Sequence, residues 1–195
     1  MTVIAGILLA AGRSSRFGSK KLLHPLPEGA PIGLQSARHL AKAVDRAIAI
    51  VPPGDQALTH LMEQAGLEAI PCTACSDGMG SSLACGVQAS QAADGWIVAL
   101  ADMPFIRTAT ITRVAQALRD GAPLAAPVQA GRRGHPIGFG REYYGELVAL
   151  TGDTGARHIL ERDRSRIVLV PVDDPGILLD IDKPGDIATP QALDP

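Results

Sequence analysis

The sequence predicts an α/β fold in which a mostly parallel sheet lies between two layers of helices. Apolar residues make up 46% of the 195 residues but aromatic residues only 3%, so the core has to be built from Ala, Val, Ile and Leu. Such a core is typical of branched strands packed under Ala- and Leu-rich helices. Short apolar runs also alternate with segments of helical periodicity along the chain, and consecutive strand–helix units imply right-handed crossovers with helices on both faces.

Strands and helices are predicted in alternation from the first apolar run onward. Apolar runs predict strands at 3–9, 47–51, 68–71, 96–101, 124–128, 136–139, 167–172 and 177–181. Apolar positions at helical spacing predict helices at 32–44, 57–65, 81–91, 108–118, 142–150 and 155–162. Pro52-Pro53-Gly54 ends the second strand, Gly66 closes the helix after it, and a polar turn at 131–134 separates two later strands. Because no repeat, low-complexity tract or long linker is visible, residues 1–195 are expected to form a single domain.

Charge and cysteine content exclude several classes of protein. The formal net charge is −2, so there is no basic excess to hold a nucleic-acid backbone. The apolar run at 3–11 is too short to span a bilayer and no Lys or Arg precedes it, so neither a signal peptide nor a membrane segment is expected. Three cysteines cannot form a disulfide framework, and a cytoplasmic location fits best. The Cys72-Thr-Ala-Cys75 spacing could mark a redox pair or half a zinc site, but chance spacing is the favoured interpretation.

The loop after the first strand is a candidate phosphate-binding segment. It contains Gly12, Gly18 and the four cations Arg13, Arg16, Lys20 and Lys21. Loops of this kind present backbone N–H groups and positive charge to a polyphosphate. Five residues separate the two glycines, so the Walker motif does not fit, and the three-glycine dinucleotide fingerprint is absent. The alternative is a solvated basic loop.

Acidic residues at the ends of two predicted strands are candidate metal ligands. Asp102 follows the buried run 96–101, and the nearby Pro104 makes the backbone there rigid. A carboxylate in such a position is well placed to bind a hard cation such as Mg²⁺. The alternative is that Asp102 is a turn or helix-capping residue. Asp180 and Asp182 alternate along an extended segment and point to the same side of it. Either could complete a two-carboxylate site with Asp102, or both could be solvated at a strand end.

Two further turns have the composition of ligand-binding loops. The glycine- and serine-rich turn 78–83 opens a predicted helix and could receive polar groups of a ligand, although Ser81 or Ser82 could equally be a simple helix cap. His135 lies between Gly134 and Pro136, where a lone histidine is usually structural or exposed. No Gly-x-Ser-x-Gly motif occurs, so a hydrolase of the nucleophile-elbow type is excluded.

Taken in order, these segments resemble the MobA-like nucleotidyltransferases, and among them the molybdenum cofactor cytidylyltransferases. The first shared motif is Leu9-Ala10-Ala11-Gly12-x-Ser14-x-Arg16-Phe17-Gly18-x-x-Lys21, in which Phe17 stands where the family usually has Met. The others are Gly78-Met79-x-Ser81-Ser82-Leu83, Asp102-Met103-Pro104, Gly134-His135-Pro136, Gly152-Asp153-x-Gly155-Ala156-Arg157 and Asp180-Ile181-Asp182-x-Pro184. The first motif is shared with sugar-nucleotide and isoprenoid cytidylyltransferases, and the later motifs make the resemblance more specific. It implies a single three-layer, Rossmann-like domain of the GT-A-like nucleotidyltransferase type.

The resemblance also implies roles for individual residues. The nucleotide would be bound by Leu9, Ala10, Ala11, Gly12, Arg16, Lys21, Gly80, Ser81, Ser82 and Asp102. Of these, Arg16, Lys21 and Asp102 would be catalytic, with Arg16 and Lys21 on the triphosphate. Mg²⁺ would be held by Asp102 together with Asp182 or Asp180. The acceptor would be bound by His135, Asp153 and Arg157, in the C-terminal part of the chain.

The reaction implied by the resemblance is transfer of CMP from CTP to a molybdopterin-type molybdenum cofactor, with release of pyrophosphate. A molybdoenzyme or its chaperone would receive the product, and no nucleic acid or membrane partner is expected. Guanylyltransferase relatives usually carry Gly where this chain has Ala11, so the resemblance favours cytosine over guanine. One methyl group, however, normally discriminates between two substrates by only about 1–3 kcal/mol. The alternatives are therefore a guanylyltransferase, a transferase for another phosphorylated acceptor such as a sugar phosphate, and a non-catalytic carrier of the cofactor. A degenerate carrier would be expected to lack Lys21 or Asp102, and both are present.

Overall fold

A computed structural model describes residues 2–12, 17 and 20–187 of the chain. Within these residues, eight strands form one sheet. They are β1 (Ile4–Leu9), β2 (Arg46–Val51), β3 (Glu68–Pro71), β4 (Gly95–Leu100), β5 (Leu124–Gln129), β6 (Arg132–Arg133), β7 (Ile137–Gly140) and β8 (Ile167–Pro171).

The helices follow the strands in the predicted alternation. The α-helices are α1 (Ile32–Ala41), α2 (Gln56–Gln64), α3 (Met79–Ala89), α4 (Thr108–Arg119), α5 (Tyr144–Val148) and α6 (Arg157–Arg162). Short 3₁₀ turns occupy Lys21–Leu23, Thr73–Asp77, Arg141–Tyr143, Arg164–Arg166 and Pro175–Leu178. In the described part of the chain, no helix has the length and apolar character that crossing a membrane requires.

The sheet is mixed but mostly parallel, as predicted. Its order is β3-β2-β1-β4-β7-β5-β6, and β8 lies beside β5. β1 runs parallel to β2 and β4, β2 to β3, and β5 to β8, whereas β7 is antiparallel to both β4 and β5. The register pairs Leu9, the last residue of β1, with Leu100, the last residue of β4. The loops that follow these two strands therefore start side by side at one edge of the sheet.

Helices cover both faces of the sheet, which confirms the predicted three layers. Alternate residues of β1 belong to two different apolar clusters: Ile4 and Leu8 pack under α1, α2 and α4, and Ala5 and Ile7 pack under α3 and α5. Trp96 is fully buried in the second cluster, where its indole N–H donates to Ser90 Oγ at 3.0 Å. Phe139 and Tyr143 are buried in the same cluster, and the rest of the core consists mainly of Ala, Val, Ile and Leu, in agreement with the composition.

The structure corrects the prediction at three places. The predicted strand 177–181 is wrong, because this segment pairs with no strand and instead begins with the 3₁₀ turn Pro175–Leu178. The predicted helix 142–150 is divided into a 3₁₀ turn and the short α5, and the polar turn 131–134 contains the two-residue strand β6. Ile177 and Ile181 are nevertheless fully buried. Their apolar character reflects packing against loops rather than membership of the sheet.

Candidate active site

A cavity of about 300 Å³ opens where β1 and β4 end. Leu9, Ala11, Gly12, Leu100 and Asp102 line the side formed by the two strand ends. β1 continues in extended form for one more residue, since Ala10 N donates to Ile50 O at 3.1 Å. The opposite side is formed by residues just before and within the first turn of α3, namely Cys75, Ser76, Gly78, Met79 and Ser82.

Lys21 and two carboxylates form a cluster beside this cavity, which we call the charged cluster. Lys21 Nζ lies 2.8 Å from Asp102 Oδ2 and 3.7 Å from Asp182 Oδ1. The Lys21 side chain is only 11% exposed, whereas the side chains of Asp102 and Asp182 are 27% and 46% exposed, so Lys21 is the buried member of the cluster. The neighbouring Lys20 points elsewhere: its Nζ lies 2.9 Å from Asp55 Oδ1 and its side chain is 63% exposed. The structure thus distinguishes two adjacent lysines that the sequence alone does not.

The segment after β8 brings Asp182 to the charged cluster. Ile181 N donates to Asp102 O at 2.9 Å, so the segment is bonded directly to the loop that follows β4. Asp186 Oδ2 then accepts from the N–H groups of Asp182 and Lys183, both at 2.9 Å, which fixes the turn. Asp180, one of the two predicted alternatives, makes no ion pair with Lys21 within 4 Å.

The first turn of α3 is fixed against the loop 151–155. Gly80 N donates to Gly152 O at 2.7 Å, and Gly152 N donates to Ser81 Oγ at 3.1 Å. Gly78 has φ +132°, and a Cβ there would overlap Asp153 Oδ1, so only glycine allows this approach. Ser82 lines the cavity, whereas Gly80 and Ser81 hold the loop that carries Asp153.

A second cavity, of about 530 Å³, adjoins the first. All three predicted acceptor residues, His135, Asp153 and Arg157, line it. Its walls are otherwise mainly apolar: Leu83, Val98, Ile137, Phe139, Ala156 and Leu160. Arg157 is largely exposed and pairs with Glu161 at 2.7 Å.

His135 is the polar group most enclosed in this second cavity. Its Nδ1 is buried and has no hydrogen-bond partner among the described residues. Burial lowers the pKa of the imidazole, and the negative charges of Asp102 and Asp180 oppose this shift. The ring is therefore neutral at pH 7, where one nitrogen donates and the other accepts a hydrogen bond. Such a group is suited to contact a polar atom of a ligand.

The two cavities have a common wall made of Leu9, Met79, Leu100 and Asp153. Met79 is 50% exposed, unusual for a large apolar side chain at the start of a helix. The sequence analysis placed Met79 in a motif but gave it no role. Its position between two glycines is the sequence feature that could have marked it as a site residue. Two ligands bound in these cavities would meet at this wall, close to Asp102.

The charged cluster has the donor set of a magnesium-type site completed by a substrate. Oxygens of two carboxylates converge on one cation, the Lys21 ammonium. Among the described residues, no three His, Cys, Asp or Glu side chains come together as a metal centre. Mg²⁺ commonly binds to one or two carboxylates while substrate phosphates supply further oxygens. Asp102 and Asp182 therefore fit a divalent cation whose remaining ligands are supplied by a substrate.

Arg16, predicted to bind the triphosphate, lies outside the described residues, as do positions 13–15, 18 and 19. The remaining predicted nucleotide residues surround the first cavity or hold its walls.

The sequence analysis did not identify Asp174, because this residue does not contact the cavity and supports the site only through other segments. It is buried, and its Oδ2 accepts from Arg107 N at 2.9 Å and from Thr110 Oγ1 at 2.6 Å. These bonds attach the segment after β8 to the start of α4.

The three cysteines form no disulfide among the described residues. Burial raises the pKa of the Cys85 thiol to about 12, and a hydrogen bond with Cys72 adds to the shift. A thiol with so high a pKa stays protonated and is a poor nucleophile.

Comparison with known proteins decides the family. Residues 6–167 match the family model described as the MobA-like NTP transferase domain. The chain belongs to the MobA-like NTP transferase family. It is accordingly a nucleotidyltransferase. The matched range ends before Asp182, so the position of Asp182 beside Lys21 comes from the structure.

Named relatives of this MobA-like NTP transferase extend over nearly its whole length. The purine catabolism protein PucB of Bacillus subtilis strain 168 is 30% identical over 196 residues, which cover 93% of this chain and 92% of PucB. The crystal structure of Rv0371c from Mycobacterium tuberculosis H37Rv has a TM-score of 0.80 and 28% identity, and the match covers 95% of each chain.

Two further structures contain ligands. Rv0371c in complex with manganese matches with a TM-score of 0.71 and 26% identity over 95% of this chain and 96% of that chain. CMP:2-keto-3-deoxy-manno-octonic acid synthetase complexed with CTP matches with a TM-score of 0.72 over 98% of each chain, but at 17% identity this likeness concerns the fold alone.

Proposed function

We propose that this nucleotidyltransferase transfers CMP from CTP to the phosphate of a molybdopterin-type molybdenum cofactor and releases pyrophosphate. The observation on which the proposal chiefly rests is the pair of adjoining cavities, whose common wall lies next to the charged cluster. This arrangement provides a place for two substrates and puts cationic and metal-binding groups where they meet.

The smaller cavity is proposed to bind the nucleotide. Leu9, Ala10, Ala11 and Gly12 would contact the base and ribose from the strand end, and Gly80, Ser81 and Ser82 from the start of α3. Ala11 lines the cavity, and a methyl group in place of the glycine hydrogen would leave less space for a base. A protein of the same fold, CMP:2-keto-3-deoxy-manno-octonic acid synthetase, is known in complex with CTP, so this fold can accommodate the proposed donor.

The chemical step requires little covalent participation by the protein. An oxygen of the acceptor phosphate forms a bond to the α-phosphorus of CTP, and the bond from that phosphorus to the oxygen bridging to the β-phosphate breaks. The electron pair leaves with pyrophosphate. Because the acceptor phosphate is already an anion at neutral pH, no general base is needed. The chain would position the two substrates relative to each other, and Lys21 and Arg16 would supply fixed positive charge.

Asp102 and Asp182 are proposed to hold the divalent cation, Mg²⁺. A bound cation would offset negative charge on the α-phosphate and the leaving pyrophosphate. The carboxylates fit this role because both reach the same point beside the cavity. The manganese complex of Rv0371c supports a divalent metal in a related protein of similar fold.

The larger cavity is proposed to bind the acceptor. Its apolar walls suit the flat ring system of a pterin, and neutral His135 supplies a hydrogen bond within them. Asp153 and Arg157 contribute polar contacts at its rim. A small, fully hydroxylated sugar phosphate would leave these apolar walls uncovered, so we favour the pterin.

The test is release of pyrophosphate by the purified protein with CTP, GTP, ATP or UTP and Mg²⁺, with either molybdopterin cofactor or a sugar phosphate as acceptor. We expect release with CTP and molybdopterin cofactor only, together with a dinucleotide product identified by mass spectrometry. Equal rates with GTP would overturn the cytidylyl assignment. Turnover with the sugar phosphate alone would overturn the acceptor, and tight cofactor binding with no turnover would identify a carrier.

We further propose a cytoplasmic location and delivery of the product to a molybdoenzyme or its chaperone. The three cysteines form no disulfide among the described residues, which supports a reducing compartment. Residues 1–195 are proposed to act as one domain, with nucleotide contacts mainly in its N-terminal part and acceptor contacts in its C-terminal part.

A further inference from the structure

The Lys21 ammonium occupies the point at which the two proposed metal ligands converge. Its Nζ is 2.8 Å from Asp102 Oδ2 and 3.7 Å from Asp182 Oδ1, and the side chain is 11% exposed. A divalent cation bound to the same two oxygens would lie about 2.0–2.1 Å from each of them. The ammonium and the metal would then be too close, and both are positively charged. They cannot occupy the charged cluster at the same time.

We infer that Lys21 is a stand-in cation that makes binding of metal depend on binding of nucleotide. This inference rests on the proposed function and concerns how the same site is filled. In the free protein, Lys21 offsets part of the negative charge of the two carboxylates and opposes metal. An incoming triphosphate attracts the ammonium to its own oxygens, which frees Asp102 and Asp182 for the metal.

The surrounding structure supports this exchange. The described residues offer no third acidic, histidine or cysteine ligand that would let metal bind strongly without a substrate. Lys21 begins a short 3₁₀ turn directly beside the loop that follows β1. Asp102 itself lines the cavity proposed for the nucleotide, and Lys21 Nζ lies 2.8 Å from this carboxylate, so the ammonium stands close to the place proposed for the triphosphate. A long, flexible lysine side chain can change partners there without movement of the backbone.

Coupling of this kind works in both directions. Nucleotide raises the affinity for metal by removing the competing ammonium, and metal raises the affinity for nucleotide by keeping the ammonium away from the carboxylates. After transfer, loss of pyrophosphate takes away the oxygens that held Lys21. The ammonium then returns to Asp102 and Asp182 and favours release of the metal.

The experiment measures binding and needs no acceptor. Binding of Mn²⁺ alone is followed by the electron paramagnetic resonance signal of the free ion, and binding of CTP in EDTA by calorimetry. For Lys21→Met we expect Mn²⁺ to bind about tenfold more tightly, within the range usual for coupled ligands. CTP should bind about tenfold more weakly, because a charged contact to phosphate is lost. General damage to the site would weaken both.

Two further variants separate charge from packing. Lys20→Met removes the adjacent lysine, which pairs with Asp55 instead of the two proposed metal ligands, and should leave Mn²⁺ binding unchanged. Lys21→Arg keeps a cation between the carboxylates and should leave Mn²⁺ binding as weak as in the unaltered protein. Circular dichroism and thermal unfolding check that each variant is folded.

The outcomes distinguish this inference from the function on which it rests. Mn²⁺ binding that is unchanged or weaker in Lys21→Met, while Asp102→Asn abolishes it, would overturn the competition but leave the metal site intact. If Asp102→Asn binds Mn²⁺ as well as the unaltered protein, the metal assignment in the proposed function fails, and the inference fails with it.

Discussion

Asp180 and Asp182 are two residues apart in the sequence but have different surroundings in the fold. Asp182 lies 3.7 Å from Lys21 Nζ and belongs to the charged cluster. Asp180 is exposed, and its charge acts on the half-buried His135 instead. The sequence offered both as partners of Asp102, and the structure favours Asp182 because the bond from Ile181 N to Asp102 O orients the segment.

This difference gives a prediction about the second metal ligand. Asp182→Asn should weaken Mn²⁺ binding in the presence of CTP by at least about tenfold. Loss of a residue that merely hydrogen-bonds to a metal ligand commonly lowers metal affinity by that factor. Asp180→Asn is the matched control, with the same change of charge two residues away, and should bind Mn²⁺ nearly as well as the unaltered protein. Titration of both variants by calorimetry is the measurement, and the reverse order of affinities would exchange the two roles.

At the scale of elements, the segment 174–182 joins loops that carry different parts of the site. Asp174 bonds to the start of α4, Ile177 O accepts from His135 N at 3.0 Å, and Ile181 N bonds to Asp102 O. A Cβ at Gly134 would overlap Ile177 O, so this approach also requires glycine. The segment thus fixes His135 and Asp102 relative to one another although it belongs to neither strand.

Asp174→Ala is therefore expected to lower the free energy of unfolding by about 2–4 kcal/mol, because buried donors lose a charged acceptor. Asp174 is 2% exposed and accepts three hydrogen bonds, from Arg107 N, Thr110 Oγ1 and Gly176 N. Asp173→Ala is the control, since Asp173 is exposed and such positions usually contribute within about 0.5 kcal/mol. Urea unfolding of the two variants tests this, and equal midpoints would contradict it.

Elements that depend on local sequence were predicted well, and those that depend on distant contacts were not. β1 and β4 are continuous apolar runs, and parallel pairing places their ends together, which is why the neighbourhood of Gly12 and Asp102 was predictable. The segment 177–181 has the apolar content of a strand, but its carbonyl and N–H groups bond to loops. The path of chain segments far apart in sequence decides which carboxylate pairs with Lys21. It also decides that Met79 lies between two cavities.

At the scale of the whole molecule, two partly buried histidines should make stability depend on pH. Burial lowers the pKa of both His39 and His135 from the usual 6.5. The unfolded chain therefore binds protons at pH values where the folded protein does not. By linkage, stability is retained above about pH 6.5 and falls as the pH drops below it. Carboxyls with lowered pKa, such as that of Asp45, add to the loss only at more acidic pH.

The measurement is the urea midpoint at pH 7.5 and at pH 5.5. We expect a lower midpoint at pH 5.5, and a smaller difference between the two in His39→Gln. His60 is exposed on α2, so His60→Gln should keep the full difference. A midpoint that does not change between the two pH values would contradict the expectation.

The residues of the charged cluster occupy positions 21, 102 and 182. A fragment that contains only one or two of these three residues cannot form the cluster. A chain in which any of the three segments has moved out of its native position has also lost the cluster. Occupancy of the cluster by a spectroscopically visible ion such as Mn²⁺ would consequently report long-range tertiary order. It would distinguish the fully folded enzyme from a compact intermediate that retains native helix content.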